Sequence, residues 1–258
     1  MKILLISDTH RRLDPVNELA AATGADCCFH LGDFCTCTLD SVSRFSADML
    51  YKQLKHAPQL SLEQLAAIDR EDAESMRPLA IKYRTYGNFE DYLAGKKRFE
   101  IPVYAVPGNN DDAAIISWVA QHPISNLTFL SEAKQLELEG FLICGIGGSI
   151  AERTPENGVV CISTGEQIAE LVRKIAAAPG GKILLSHVPP YECEPLMRLV
   201  ETIKPTLVLC GHTHHWDDRM AGDCRILTLP RVDRGYALLD LNRNDWNYQI
   251  YKIKGEKI

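Results

Sequence analysis

Short apolar runs punctuate the chain: Ile3–Ile6, Cys27–Leu31, Val103–Val106, Phe141–Ile146, Ile183–Leu185 and Leu207–Cys210. They are rich in Val, Ile and Leu and lack polar alternation. That pattern suits strands buried on both faces of a sheet covered by helices. Between them lie stretches with helical spacing, Pro15–Ala22, Thr164–Ala177 and Glu194–Ile203. Pro15 fits a first helical turn with Asp14 as its cap. Gly165 weakens the start of the second helix, and Pro179-Gly180 ends it.

The last quarter reads differently. Arg225–Leu229, Tyr236–Leu241 and Trp246–Ile253 are strand-like, separated by Pro230–Gly235 and by the Asn242–Asp245 turn, which predicts an antiparallel meander. The fold class is therefore α/β with mixed sheets, a sandwich and not a simple doubly wound sheet. Residues 38–98 stand apart and read as helices. Val42, Phe45, Met49 and Gln53 share a helical face, with Leu50 and Leu54 beside it. Ser61 with Gln64 three positions on begins a capping box, and Pro78 breaks or kinks the next helix. The stretch holds nine acidic and ten basic residues, so it carries no polyanion signal. It reads as a helical insertion within a single domain spanning 1–258: a lid, a specificity wall, an oligomer contact or a solvated decoration.

Composition narrows the function. With 258 residues, 46% hydrophobic and 24% charged, the chain is ordinary globular protein that needs no disulfide to hold a core. The net charge of −6 argues against a protein that grips long nucleic acid. No stretch approaches a membrane span, and the apolar run near Met1 is too short for an export signal, so a cytoplasmic protein is expected. The nine cysteines are odd in number and form no C-x-x-C pair. They read as free thiols used as small hydrophobes; Cys35-x-Cys37, after a polar motif, is the one candidate soft-metal pair.

Five of the apolar runs end in metal-type ligands. Ile3–Ile6 leads into Asp8-Thr9-His10, and Cys27–Leu31 into Gly32-Asp33. Val103–Val106 leads through Pro107 into Gly108-Asn109-Asn110-Asp111. Ile183–Leu185 leads into Ser186-His187, and Leu207–Cys210 into Gly211-His212-Thr213-His214. Loops beyond the carboxyl ends of strands form the ligand crevice of α/β sheets, so these five loops can gather carboxylates, an amide and four imidazoles. In extended backbone Asp8 and His10, like His212 and His214, share a face and can reach one ion or two adjacent ones. A mixed O and N donor set suits Mn, Fe, Zn or Ni.

The ordered set Asp-x-His, Gly-Asp, Gly-Asn-x-Asp, His, Gly-His-x-His, running from Asp8 to His214, resembles the calcineurin-like metallophosphoesterases. The resemblance implies a four-layer αββα sandwich, which agrees with the strand reading, and two divalent metal ions. It places Asp8, His10, Asp33 and His214 on the first ion. Asp33, Asn109, His187 and His212 fall on the second, with Asp33 bridging. The implied activity is hydrolysis of a phosphodiester or phosphomonoester by attack of a metal-bridging hydroxide on phosphorus. The substrate would be a small phosphorylated molecule, with a homo-oligomer formed through the insertion as a further expectation.

Two features depart from the family pattern. The family usually carries His after the Gly-Asn pair, where it contacts the phosphoryl group; here Asn110 stands. An amide donates to phosphate but is no general acid near pH 7, which points to diesters or activated leaving groups. Asp111, which usually orients that His, instead orients the amide or caps a following helix. The second departure is the 74-residue gap from Phe34 to Pro107. Arg11 directly follows His10 and is a candidate phosphate clamp, whereas Arg12 reads as a solvated surface residue. His215, out of phase with His212 and His214, is read as supporting or surface, and His30, His56 and His122 fall outside the motifs. The competing reading is a protein-binding scaffold on the same fold. A single-metal enzyme is disfavoured, because one ion does not need seven ligands.

Overall fold

The computed structural model describes residues 1–10, 12–34, 45–55, 60–82, 91–92, 94–151, 161–243 and 245–253. Its first large sheet has the order β14-β13-β1-β2-β3-β4. Four of these strands run parallel: β1 (Lys2–Ile6), β2 (Cys27–His30), β3 (Val103–Ala105) and β4 (Leu127–Phe129). The hairpin of β13 (Gly235–Asn242) and β14 (Asp245–Lys252) adds antiparallel to β1.

The second large sheet has the order β11-β12-β10-β9-β6-β5. Its parallel centre is β6 (Phe141–Ile146), β9 (Gly181–Ser186), β10 (Leu207–Cys210) and β12 (Cys224–Thr228). β5 (Leu136–Leu138) and β11 (Asp217–Ala221) close its edges antiparallel. A small parallel pair, β7 (Ser149–Ala151) and β8 (Ile162–Thr164), stands apart.

The alternation of side chains along buried strands produces the layers. Ile3, Leu5 and Phe29 face inward and meet Ile143, Ile183, Leu185 and Leu209 of the other sheet in one apolar cluster. Leu4 and Ile6 face outward onto Val16 of helix α1 (Asp14–Thr23). On the far side Leu184, Val208 and Ile226 pack against Leu171 and Leu199. These two belong to helices α6 (Gly165–Ile175) and α7 (Glu194–Ile203). The result is the expected four-layer αββα sandwich of mixed sheets.

Between β2 and β3 lie α2 (Ala47–Lys55), α3 (Leu62–Ala66) and α4 (Ala73–Lys82), which share their own apolar cluster of Phe45, Leu50, Leu54, Leu65, Met76 and Ala80. Helix α5 (Ala113–Gln121) follows β3. The capping box at Ser61 forms as expected, with the hydroxyl accepting from Gln64 N and the Gln64 side chain accepting from Ser61 N. Phe45 is buried but precedes its helix, and Val42 lies outside the described residues.

Two expectations are corrected. The three C-terminal strands do not form one meander: β12 joins the second sheet beside β10, and only β13 and β14 pair as a hairpin in the first. The Leu229–Arg234 loop carries the chain between sheets, and Val232 N donates to Ser7 O on the way. Asp14 does not cap α1. Leu13, fully buried, takes the cap position without a side-chain bond, and Asp14 pairs with Lys97 at 2.8 Å. Of the break or kink expected at Pro78, the break does not form: α4 runs through it to Lys82. Gly165 is compensated at the start of α6, where the Thr164 hydroxyl accepts from Gln167 N in a capping box. The seven described cysteines are free and mostly buried, and burial pushes the Cys27 thiol up to about 12, as inert small hydrophobes require; Cys35 and Cys37 lie outside the described residues. Among the described residues no helix is long and apolar enough to cross a membrane.

Candidate metal centre

The loops after β1, β2, β3, β9 and β10 meet at one edge of the sandwich. Backbone bonds lace them together: Asp8 N to Gly32 O at 3.0 Å, His10 N to Asp33 O at 2.9 Å and Gly211 N to His187 O at 3.0 Å. Eight non-glycine residues have positive φ among the described residues. Five of them are Asp8 (53°), His10 (41°), Asp33 (56°), His212 (72°) and His214 (61°). A left-handed residue turns the chain sharply as it leaves a strand and swings its side chain back over the strand end. Such backbone costs of order 1 kcal/mol per residue and concentrates at functional sites. Gly108 is required by proximity: a Cβ there would lie 2.1 Å from both Asp33 N and Asp33 Oδ1.

One donor cluster is Asp8, His10, Asp33 and His214, whose ligand atoms all lie within 4.8 Å of one another and could hold a metal ion. Asp8 Oδ2 is already occupied. It accepts from Ser7 Oγ at 2.5 Å and from His212 N at 3.1 Å. That leaves Oδ1 facing His214 Nε2 at 3.1 Å and His10 Nε2 at 3.8 Å. The two imidazole nitrogens are 3.0 Å apart, and His10 Nε2 is 3.9 Å from Asp33 Oδ2. Asp8 and Asp33 are almost wholly buried, whereas the His214 side chain is 31% exposed, so this cluster opens to solvent on the His214 side.

A second convergence lies on the other side of Asp33. Asn109 Oδ1 is 2.8 Å from His187 Nε2 and 3.0 Å from His212 Nδ1, and His187 Nε2 is 3.4 Å from Asp33 Oδ1. His187 Nδ1 is 2.8 Å from Leu31 O. A carbonyl only accepts, so Nδ1 carries a proton, and in the neutral form of the ring Nε2 aims its lone pair at two oxygens. Such a contact is repulsive until a proton or a cation lies between the groups.

The titrations follow from this crowding. Burial opposes a charge on His187, but Asp33, Asp8 and the Leu31 carbonyl outweigh it and raise its pKa. His10 and His212 are held low by burial. Burial opposes ionisation of Asp8, yet the His214 hydrogen bond and the fields of His187 and His10 bring it below the carboxylate range. Such pairing of carboxylates with imidazoles fits a hard-to-borderline divalent ion.

The structure thus brings together Asp8, His10, Asp33, Asn109, His187, His212 and His214. Asn110 joins them: its N donates to Asp33 Oδ1 at 2.9 Å and its Nδ2 to Asp33 Oδ2 at 2.6 Å. Asp111 is buried, and its Oδ2 accepts from Gly108 N at 2.7 Å, closing the Gly-Asn-Asn-Asp turn. Arg11 and His56 lie outside the described residues. His122 and His215 are exposed, as is Arg12. Three residues join the site that sequence reasoning passes over or sets outside the motifs. Ser7, next to Asp8, fixes its carboxylate. Arg231 lies close enough to lower the His10 pKa; nothing in the motifs signals it. His30, inside a strand and three residues before Asp33, is fully buried.

Among solved structures the chain resembles a crystal structure 15% identical to it, with a TM-score of 0.64 over 98% of this chain and 99% of that one. It is also similar to GAP50, the anchor in the inner membrane complex of Plasmodium, at 10% identity and a TM-score of 0.54 over 98% and 85% of the two chains. A putative 5'-nucleotidase from Staphylococcus aureus matches at 10% identity and a TM-score of 0.51; 99% of this chain is covered, spanning 55% of that one. These likenesses are of fold. No curated protein matches the sequence. The family model described as calcineurin-like phosphoesterase matches residues 1–216, a span that takes in every donor from Asp8 to His214. The chain belongs to the calcineurin-like phosphoesterase family.

Proposed function

We propose that this protein is a dinuclear metal-dependent phosphoesterase acting on small phosphodiesters. Asp8, His10, Asp33 and His214 would hold one divalent ion, and Asp33, Asn109, His187 and His212 the other. The observation that carries the reading is the position of Asp33, with Oδ2 toward His10 and Oδ1 toward His187. One carboxylate then serves both donor groups and moderates the repulsion between two cations. Divalent ions in such a pair, of the Mn, Fe, Zn or Ni type, supply an acidified water and positive charge against a phosphoryl group.

The chain's own groups prepare that chemistry. Ser7 and the His212 amide hold Asp8 so that one oxygen stays available. The Leu31 carbonyl fixes the His187 tautomer and leaves Nε2 free to bind. Asn110 offers amide protons at the edge of the cluster, where they can turn from Asp33 to a phosphoryl oxygen. Those protons are too weakly acidic to transfer to a leaving oxygen near pH 7. Substrates whose leaving group departs as a stable anion, aryl diesters above all, are therefore favoured over alkyl monoesters. The net charge of −6 favours a small substrate over a long polyanion.

The test is turnover of paired aryl mono- and diesters by the protein reloaded with Mn, Fe, Ni or Zn. The wild type should prefer the diester, and Asn110→His should raise the monoester-to-diester ratio by roughly 10-fold or more. An unchanged ratio overturns the role given to Asn110. Two bound ions with no turnover on either ester would favour the scaffold reading.

A further inference from the structure

We infer that His30 is a positioning residue of the metal centre, whose ring braces the Asp8–His10 loop against the Gly32–Asp33 loop. His30 is the last residue of β2, paired in register with Ile6 at the end of β1. Its side chain is fully buried, a place where an imidazole persists only with both nitrogens satisfied. Gly32 N donates to Nδ1 at 3.2 Å, so Nδ1 is bare and the proton sits on Nε2. Nε2 then donates to Thr9 Oγ1 at 3.0 Å. Thr9 is the buried residue between Asp8 and His10, and Gly32 directly precedes Asp33. One ring therefore grips two of the three loops that supply the first donor cluster.

The ring face adds a third hold. His30 stacks on Phe34, just past Asp33, with centroids 3.7 Å apart and planes inclined by 17°. Asp8, His10 and Asp33 all have positive φ, and strained turns persist only where their surroundings over-determine them. Backbone bonds between the loops supply part of that restraint, and Ser7 Oγ donating to Leu31 O at 3.3 Å another; the His30 ring joins Thr9 directly to Gly32. It is no ligand itself, since both nitrogens are committed to Gly32 and Thr9.

This inference rests on the proposed metal binding, and the experiment separates the two. The full-length protein is stripped of metal, and Mn2+ binding is followed by the loss of the free-ion spin-resonance signal, with thermal melting in parallel. Wild type is compared with His30→Phe, which keeps the stack and loses both hydrogen bonds. Thr9→Val cuts the same brace from the other side. Val16→Ala destabilises the apolar cluster that contains Phe34 without touching the loops. His30→Phe and Thr9→Val should each weaken Mn2+ binding by about 10–100-fold, and the double variant should weaken it little further. Val16→Ala should melt lower and bind as the wild type does. Wild-type Mn2+ affinity in His30→Phe, or an equal loss in Val16→Ala, would overturn the inference. Should His30→Phe fail to fold, unchanged affinity in folded Thr9→Val overturns it as well. A wild type that binds no Mn2+ would instead sink the metal reading on which it rests.

Discussion

His30 shows how a single buried group couples stability to pH. Burial presses its pKa down from 6.5 to about 3, with the nearby His187 and His10 rings adding to it and Asp8 opposing it. Below pH 6.5 the unfolded chain takes up a proton that the folded chain refuses. Stability therefore falls as the pH drops through 6.5 toward 3. From pH 7.5 to 5.5 this group alone removes about 1 kcal/mol. His187 titrates the other way, since its folded pKa is raised, so total stability is the wrong readout. Urea unfolding of metal-stripped protein at the two pH values should show wild type losing about 1 kcal/mol more than His30→Phe. Equal losses would mean that His30 titrates in the fold as it does in the unfolded chain.

At the scale of elements, the parallel strands carry apolar residues on both faces because one face meets the other sheet and one meets a helix. That is why β1, β2, β9 and β10 are legible as unbroken apolar runs. β7 and β8, three residues each, and β11, Asp217-Asp218-Arg219-Met220-Ala221, carry no such signal. Pairing to a neighbour decides them, and β11 is set by its antiparallel register with β12. The expected meander fails for a related cause: strand character in Arg225–Leu229 is local, whereas the choice of sheet is made by the following loop and its bond to Ser7. The ligand positions were legible because polar residues break each apolar run at its carboxyl end. His30 is not, since it lies inside the apolar run, outside every ligand motif, and only the fold brings it against Thr9. The Thr164–Gln167 capping box offsets the helix-weakening Gly165 at the start of α6. Thr164→Ala should cost about 1 kcal/mol and lower the melting temperature by about 2–4 °C. An unchanged melting temperature would show that the cap contributes nothing.

At the scale of the molecule, among the described residues three apolar clusters hold the sandwich and a fourth belongs to α2, α3 and α4. The sheets bring their strand ends to one edge, and seven donors from five loops meet there. The central claim is that these donors bind two ions and that hydrolysis depends on both. The most direct measurement titrates Mn2+ into metal-stripped protein while counting bound ions and following cleavage of an aryl phosphodiester. The account predicts two ions per chain, turnover that rises as the second binds, and loss of both ion pairing and turnover in Asp33→Asn. Hydrolysis that survives a chelator, or turnover complete with one ion bound, would contradict it.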